Sequence, residues 1–133
     1  MNRYIIIIIL IALVFFCSVT IINKQDEPKQ ITLIEFNKRV GEKNKTVLVY
    51  CHADWCSVCI RMKSTMSRID SIYKGRLEIL EIDTDRDKEI TEEFEINSLP
   101  VLILYKNGVR EWDWIGVIGE KDLKDKLNVY IAQ

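Results

Sequence analysis

The spacing of apolar residues predicts alternating helices and strands after the N-terminal segment. Thr32 and Glu35 form the pattern of a helix N-cap, and apolar residues follow them at helical spacing. Asn107-Gly108, between two apolar runs, is the strongest two-residue signal for a β-hairpin. Together the patterns predict helices at about 33–41, 56–73, 85–94 and 120–131, and strands at about 46–51, 77–83, 101–105 and 109–115.

This order of elements, α-β-α-β-α-β-β-α, predicts an α/β domain with a mixed central sheet flanked by helices on both faces. The strand at 46–51 is β-branched and apolar throughout, which is typical of a strand buried on both faces. With 133 residues the chain has room for one such domain. We assign it to residues 31–133, after a polar linker at 23–30.

Residues 4–22 contain no charged side chain. About 20 apolar residues span a bilayer as a helix, whereas the apolar region of a secretory signal usually covers about 7–15. The length therefore favours an uncleaved signal anchor at 1–22, with one transmembrane helix that attaches the protein to the membrane through residues 4–22. A cleaved signal peptide and a lipoprotein modified at Cys17 are the alternatives.

Charge constrains the location and partners only in part. Arg3 precedes the apolar segment and Lys24 and Lys29 follow it, so positive charge alone does not orient the segment. A short N-terminus before one apolar segment usually exports the following domain, which predicts a domain facing the periplasm or the extracellular side. The chain carries 19 basic and 20 acidic residues, so no nucleic-acid partner is expected.

Three of the four cysteines lie in one short stretch, and two of them, Cys56 and Cys59, are three residues apart where a strand pattern gives way to a helix pattern. Unpaired N–H groups and partial positive charge at a helix N-terminus stabilise a thiolate on the first cysteine. This is what a nucleophile for thiol–disulfide exchange requires. The alternatives are a structural disulfide or half a zinc site, but beyond Cys51 and His52 the chain has no second pair of ligands for zinc. We expect no metal.

Four parts of the chain carry a resemblance to a known family: Ala53-Asp54-Trp55-Cys56-Ser57-Val58-Cys59, Asn97-Ser98-Leu99-Pro100, Lys106-Asn107-Gly108 and Gly116. Through these residues the chain resembles the thioredoxin superfamily over residues 31–133. The segment Ala53-Asp54-Trp55-Cys56 is further similar to the thioredoxin-like domains of membrane thiol:disulfide interchange proteins. The resemblance implies a thioredoxin fold and no cofactor other than a redox-active Cys56–Cys59 disulfide.

The resemblance also implies a role for each residue around the cysteines. Cys56 would be the exposed nucleophile and Cys59 the buried cysteine that resolves the mixed disulfide. The backbone of Leu99-Pro100, as a cis-proline loop, would pair with a bound substrate strand, and a cis peptide is energetically accessible only before proline. The docking groove would be bordered by Trp55, Ser57, Val58 and Gly116.

Tyr50 departs from the family pattern, because reductases of this kind commonly keep a buried aspartate there. Glu81, on the neighbouring strand, is a possible substitute. His52 is the only histidine, and we favour a structural role at the strand end over tuning of the Cys56 thiolate. Cys51 is interpreted as a buried apolar residue of the central strand, with a regulatory thiol as the alternative.

Two further groups of residues have simple structural interpretations. Asp83, Asp85 and Asp87 have the spacing of a calcium loop, but no glycine or distal glutamate follows in register, so we assign them to helix capping and a solvated face. Trp112 and Trp114 share one face of a strand, and we favour packing over contact with a partner.

The expected function is therefore an extracytoplasmic thiol:disulfide oxidoreductase that acts as a monomer and reduces disulfides in proteins or peptides. Because a reductase outside the cytoplasm must itself be reduced again, a membrane electron donor is the second expected partner. A disulfide-forming oxidase and a non-catalytic binding module with a thioredoxin fold are the alternatives.

Overall fold

The structure, a computed structural model, describes residues 2–22 and 29–131. The order of elements after the first helix is the predicted one. The elements are α1 (Arg3–Ile22), α2 (Leu33–Val40), β1 (Thr46–His52), α3 (Ser57–Ile72), β2 (Glu78–Asp83), α4 (Lys88–Glu93), β3 (Val101–Lys106), β4 (Val109–Ile115) and α5 (Glu120–Ile131).

The expected transmembrane helix at residues 1–22 is wrong. Within 2–22 and 29–131, no helix combines the length and the apolarity needed to cross a membrane. Most of the predicted linker at 23–30 lies outside the described residues, and so does the side chain of Cys17.

The predicted mixed sheet is confirmed, with four strands in the order β2-β1-β3-β4. β1 pairs with β2 in parallel and with β3 antiparallel, and β3 pairs antiparallel with β4. The parallel pair requires a crossover, which α3 supplies. At the hairpin between β3 and β4, Asn107 has φ 55° and Gly108 φ 84°, as the predicted Asn-Gly turn requires.

β1 is one of the two inner strands of the sheet, and its side chains alternate between two apolar cores. Leu48 and Tyr50 face α3 and α5 and pack with Met62, Met66 and Leu123. The alternate residues face α2 and α4 and pack with Phe36, Ile82 and Ile90; they are Val47, Val49 and Cys51. Burial of the strand on both faces fixes its register, because a slip of one residue would exchange the two faces. The end of β1, where the cysteine motif begins, is therefore firmly positioned.

Candidate active site

Cys56 lies between the end of β1 and the start of α3, and it is the N-cap residue of that helix. Its backbone is extended, with φ −80° and ψ 100°, and its sulfur accepts a hydrogen bond from the backbone N–H of Cys59 at 3.2 Å. α3 is 16 residues long, so its aligned peptide dipoles place partial positive charge at this end. Both effects favour a thiolate on Cys56 once the disulfide is reduced.

Cys56 and Cys59 form a disulfide, with their Cα atoms 5.2 Å apart. Cys56 retains 6% of its surface exposure and Cys59 only 1%. Cys56 is therefore the more accessible of the two, although it is itself largely covered. Reduction would free two thiols that differ in their access to solvent and in their hydrogen bonding.

The Leu99-Pro100 peptide bond is cis. Leu99 is partly buried and packs against the cluster that contains both cysteines. The carbonyl of Pro100 accepts a hydrogen bond from the N–H of Gly116 at 2.8 Å, and Gly116 has φ +98°, a conformation that favours glycine. The structure thus brings the cis-proline loop next to the cysteines and ties it to Gly116.

Trp55 is 71% exposed beside the disulfide, and Ser57 is exposed while Val58 is partly buried. The indole Nε1–H of Trp55 donates a hydrogen bond to Asp85 Oδ2 at 2.8 Å, which holds the ring over the turn after β2. Sequence reasoning missed Asp85 as this partner, because the two residues are far apart in the chain.

Sequence reasoning also missed the apolar residues directly before and directly after Gly116. Ile115 is 65% exposed and Val117 is 53% exposed. Their position next to the residue that bonds the cis-proline loop is the signal that could have identified them. Together with Trp55 they provide apolar surface on which an extended substrate could dock.

Tyr50 lies beneath the first turn of α3 and is 1% exposed. Its hydroxyl donates a hydrogen bond to the carbonyl oxygen of Cys59 at 3.0 Å. Burial, helped by the negative charge of Glu81, raises the pKa of Tyr50 to about 12. At neutral pH this position therefore holds a neutral phenol that is bonded to the backbone of the second cysteine.

His52, at the end of β1, is 7% exposed and its ring stacks on that of Tyr50 with 5.1 Å between the centroids. Its Nε2 lies 3.8 Å from Oε2 of Glu81, whose side chain is 60% exposed. Its Nδ1 is buried and has no hydrogen-bond partner among the residues that the structure describes. The three candidate modulators Tyr50, His52 and Glu81 thus form one contiguous group on the α3 side of the sheet.

Cys51 lies on the opposite face of β1 and is a free, buried thiol. Burial, with a smaller contribution from the charge of Asp87, raises the pKa of the Cys51 thiol to about 12. The thiol is protonated at neutral pH and packs among apolar side chains, as the interpretation of a buried strand residue requires.

The three aspartates at the end of β2 and in the turn after it, Asp83, Asp85 and Asp87, differ from one another. Asp85 is exposed, whereas Asp87 is 0% exposed, so its assignment to a solvated face is wrong. Its carboxylate accepts hydrogen bonds from the N–H groups of Ile31 and Asp83, each at 2.9 Å, and pairs with Arg86 at 3.0 Å. The local spacing carried no signal for the bond from Ile31, because that residue lies 56 positions away in the chain. In residues 2–22 and 29–131, no cluster of His, Cys, Asp and Glu could hold a metal ion.

Trp112 and Trp114 both lie near the amine of Lys126, whose Nζ is 5.3 and 5.4 Å from the two ring centroids. Trp112 is partly buried against the core, and Trp114 is 37% exposed. This arrangement attaches α5 to β4 and agrees with the favoured packing role.

Comparison with known proteins gives one consistent result. The thioredoxin family model matches residues 27–129. A thioredoxin of Pyropia yezoensis is 32% identical over 103 residues, which cover 77% of this chain and 96% of the relative. A thioredoxin of Rickettsia felis is 32% identical over 98 residues, which cover 74% and 93%.

Solved structures support the same fold. One chain from work on the thiol resolving mechanism of yeast mitochondrial 1-Cys peroxiredoxin via the glutathione and thioredoxin systems is similar with a TM-score of 0.68. It is 20% identical, and the match covers 77% of this chain and 95% of that one. With the disulfide and the cis-proline loop in place, the conclusion follows that the chain belongs to the thioredoxin family and is a thiol:disulfide oxidoreductase with Cys56 and Cys59 as its redox pair.

Proposed function

We propose that the protein reduces disulfides in protein substrates outside the cytoplasm. The observation that carries the proposal is the position of Cys56, whose sulfur caps α3 and accepts the N–H of Cys59. Stabilisation of the thiolate makes Cys56 both a better nucleophile at neutral pH and a good leaving group.

In the proposed reaction the Cys56 thiolate attacks one sulfur of a substrate disulfide, and the other substrate sulfur leaves as a thiolate. Cys59, as a thiolate, then attacks the sulfur of Cys56 and displaces the first substrate sulfur. The substrate gains two electrons and takes up two protons, while the Cys56–Cys59 disulfide is formed again. A dithiol or membrane electron donor must then reduce this disulfide.

Substrate would dock on the surface around the cysteines. Trp55, Ile115 and Val117 are exposed apolar side chains close to the cis-proline loop. Leu99 belongs to no helix or strand, which suits pairing of its backbone with an extended peptide. The groove would therefore recognise backbone and apolar side chains rather than one fixed sequence.

Reduction is favoured over oxidation by the size of the domain. The dedicated periplasmic oxidants of this superfamily carry a helical insertion, whereas residues 29–131 hold only α2–α5 around the sheet. A location outside the cytoplasm is supported by the uncharged apolar residues 4–22 and by the similarity of Ala53-Asp54-Trp55-Cys56 to membrane interchange proteins. That location implies a membrane electron donor. We further propose that the protein acts as a monomer, which light scattering would test.

Reduction of insulin disulfides by the full chain, with dithiothreitol as the electron source, tests the activity. We expect Cys56→Ser to abolish catalysis and Cys51→Ala, on the opposite face of β1, to retain it. Equal rates for the parent and Cys56→Ser would refute the enzyme and leave the alternative of a binding module.

The direction and the location need separate measurements. Equilibration with glutathione buffers gives the redox potential, and a value well above about −200 mV would indicate an oxidase instead of a reductase. Labelling of intact cells with a membrane-impermeant thiol reagent tests the location: Cys56 should be labelled after mild reduction. Labelling only after lysis would contradict export.

A further inference from the structure

The second half of this reaction, and thus the proposed function on which the inference rests, requires a proton acceptor for Cys59. Cys59 is 1% exposed and lies behind Cys56. A thiol reacts as its thiolate, and burial in apolar surroundings favours the protonated form. A base close to Cys59 would remove the proton at the moment when the mixed disulfide has to be resolved.

Tyr50 contacts Cys59 but is unsuited to be that base. Its hydroxyl is a donor to the Cys59 carbonyl, and burial keeps it protonated, with a pKa of about 12. Glu81 is a base, but its side chain is 60% exposed on the edge strand. His52 stacks on the Tyr50 ring and is the only histidine of the chain. Imidazole is the side chain that ordinarily exchanges a proton near neutral pH.

The two ring nitrogens of His52 have different surroundings. Nε2 faces the Glu81 carboxylate at 3.8 Å, which favours the hydrogen on Nε2 and a lone pair on Nδ1. Nδ1 is buried and has no partner within the described part of the chain. In the oxidised state Cys59 is bonded to Cys56 and has no S–H group to donate. Reduction gives Cys59 an S–H group that can donate, on the same side of the sheet as the unpartnered Nδ1 of His52.

We propose that His52 accepts the proton of the Cys59 thiol in the resolving step, with the Tyr50 ring holding the imidazole in place. The S–H proton passes to Nδ1, and the Cys59 thiolate attacks the sulfur of Cys56. The Cys56–substrate bond breaks and its electron pair leaves on the substrate sulfur. The imidazolium then returns the proton to the substrate thiolate or to water, so His52 is unchanged over the cycle.

Two neighbouring elements, β2 and α3, contribute charged residues near His52. Glu81 and Asp83 stand on β2 in register with Tyr50 and His52, and both are acidic. From α3, Lys63 lies at the cavity that Glu81 lines and is 3.7 Å from the carboxylate of Asp54.

A two-phase assay separates the resolving step from the first attack. The full chain, with Cys17→Ser in every variant, is reduced, freed of reductant and mixed with an excess of an aromatic disulfide that releases a coloured thiolate. The first phase depends on reagent concentration and reports the attack of Cys56. The second phase is first order and reports displacement by Cys59. His52→Gln is the test variant, and Thr84→Val is its matched control, because it removes only a hydroxyl that donates to the backbone carbonyl of His52 at 3.3 Å.

We expect His52→Gln to slow the second phase about 10²-fold at neutral pH, the usual scale of general-base catalysis. The parent's second phase should rise with one ionisation that matches the imidazole titration measured by NMR on the reduced protein. His52→Gln should lose this ionisation while Thr84→Val keeps it.

An unchanged second phase in His52→Gln would overturn the proposal, and so would a parent profile that does not follow the imidazole. The comparison of the parent's pH profile with the imidazole titration uses only the parent protein, so it holds even if His52→Gln does not fold. The first phase distinguishes the two levels of inference: its absence in the parent would refute the proposed function, whereas a normal first phase with an unaltered second phase would refute only the role of His52.

Discussion

Asp87 provides the sharpest test of how the active-site side of the domain is held together. Its carboxylate is fully buried between the segment that leads into α2, the end of β2 and the start of α4. It accepts the N–H groups of Ile31 and Asp83, each at 2.9 Å, and the guanidinium of Arg86 at 3.0 and 3.2 Å. Asp87→Ala removes the acceptor and leaves two backbone donors without their partner.

The expected loss in the free energy of unfolding can be estimated from these contacts. A hydrogen bond to a charged group contributes about 1.5–3 kcal/mol, so the two backbone bonds together contribute about 3–4 kcal/mol once non-additivity is allowed for. The side chain of Arg86 is 27% exposed and can turn to water, so its ion pair adds little. We expect Asp87→Ala to lower the free energy of unfolding by about 3–5 kcal/mol, out of a typical total of about 5–15 kcal/mol.

Urea unfolding of the oxidised full chain, followed by circular dichroism, measures this loss as a lower midpoint at unchanged slope. Asp85→Ala is the matched control from the same turn, because Asp85 is exposed; we expect it to lose less than about 1 kcal/mol. Asp87→Asn should fall between the two, since its amide oxygen can still accept one N–H. A loss under about 1 kcal/mol in Asp87→Ala, or an equal loss in Asp85→Ala, would refute the reasoning.

Three more outcomes are expected. Tyr50→Phe removes the hydroxyl bonded to Cys59 but keeps the ring, so urea unfolding should show a loss of about 1 kcal/mol, and no loss would contradict the bond. Burial raises the pKa of the Cys51 thiol from 9.0 to about 12, so the contribution of the protonated thiol to the free energy of unfolding is complete below pH 9 and declines as the pH rises towards 12. In urea unfolding, the free energy of unfolding of Cys51→Val should therefore fall less steeply with alkaline pH than that of the parent. Parallel declines in the two proteins would refute this effect of Cys51. Asp85→Ala releases the indole of Trp55, and insulin reduction should show kcat/KM lowered about two- to fivefold; an unchanged value would mean that the bond does not position the ring.

Most of the domain could be predicted because its signals are local. The apolar strand at 46–51 reappears as β1, buried on both faces, and Asn107-Gly108 adopts the two positive φ values of the predicted hairpin. The helix predicted at 85–94 is shorter, Lys88–Glu93, because the carboxylate of Asp87 binds back to the N–H of Asp83 and holds the preceding residues in a turn. The transmembrane prediction rested on the length and apolar composition of residues 4–22 and was wrong.

The same distinction between local signals and long-range contacts applies to the active site. The cysteine pair could be selected from its spacing at the change from strand to helix pattern, whereas Leu99-Pro100 was selected through the resemblance to the thioredoxin superfamily. The bond from Trp55 to Asp85 joins residues 30 positions apart, and no periodic pattern encodes it. The unpartnered nitrogen of His52 is likewise a property of the packed structure, since it depends on which neighbours surround the ring.

These observations all concern β1, because the side chains on its two faces have different roles. One face contributes Cys51 to an apolar core, and the other carries Tyr50 and His52 to the underside of α3. With a neutral phenol at position 50, the proton of Cys59 has to be taken by a group other than a buried acid. Attack and resolution would then depend on pH for separate reasons: the helix N-terminus governs the Cys56 thiolate, and the imidazole of His52 governs Cys59. A single ionisation that controlled both phases of the reaction would be incompatible with this division.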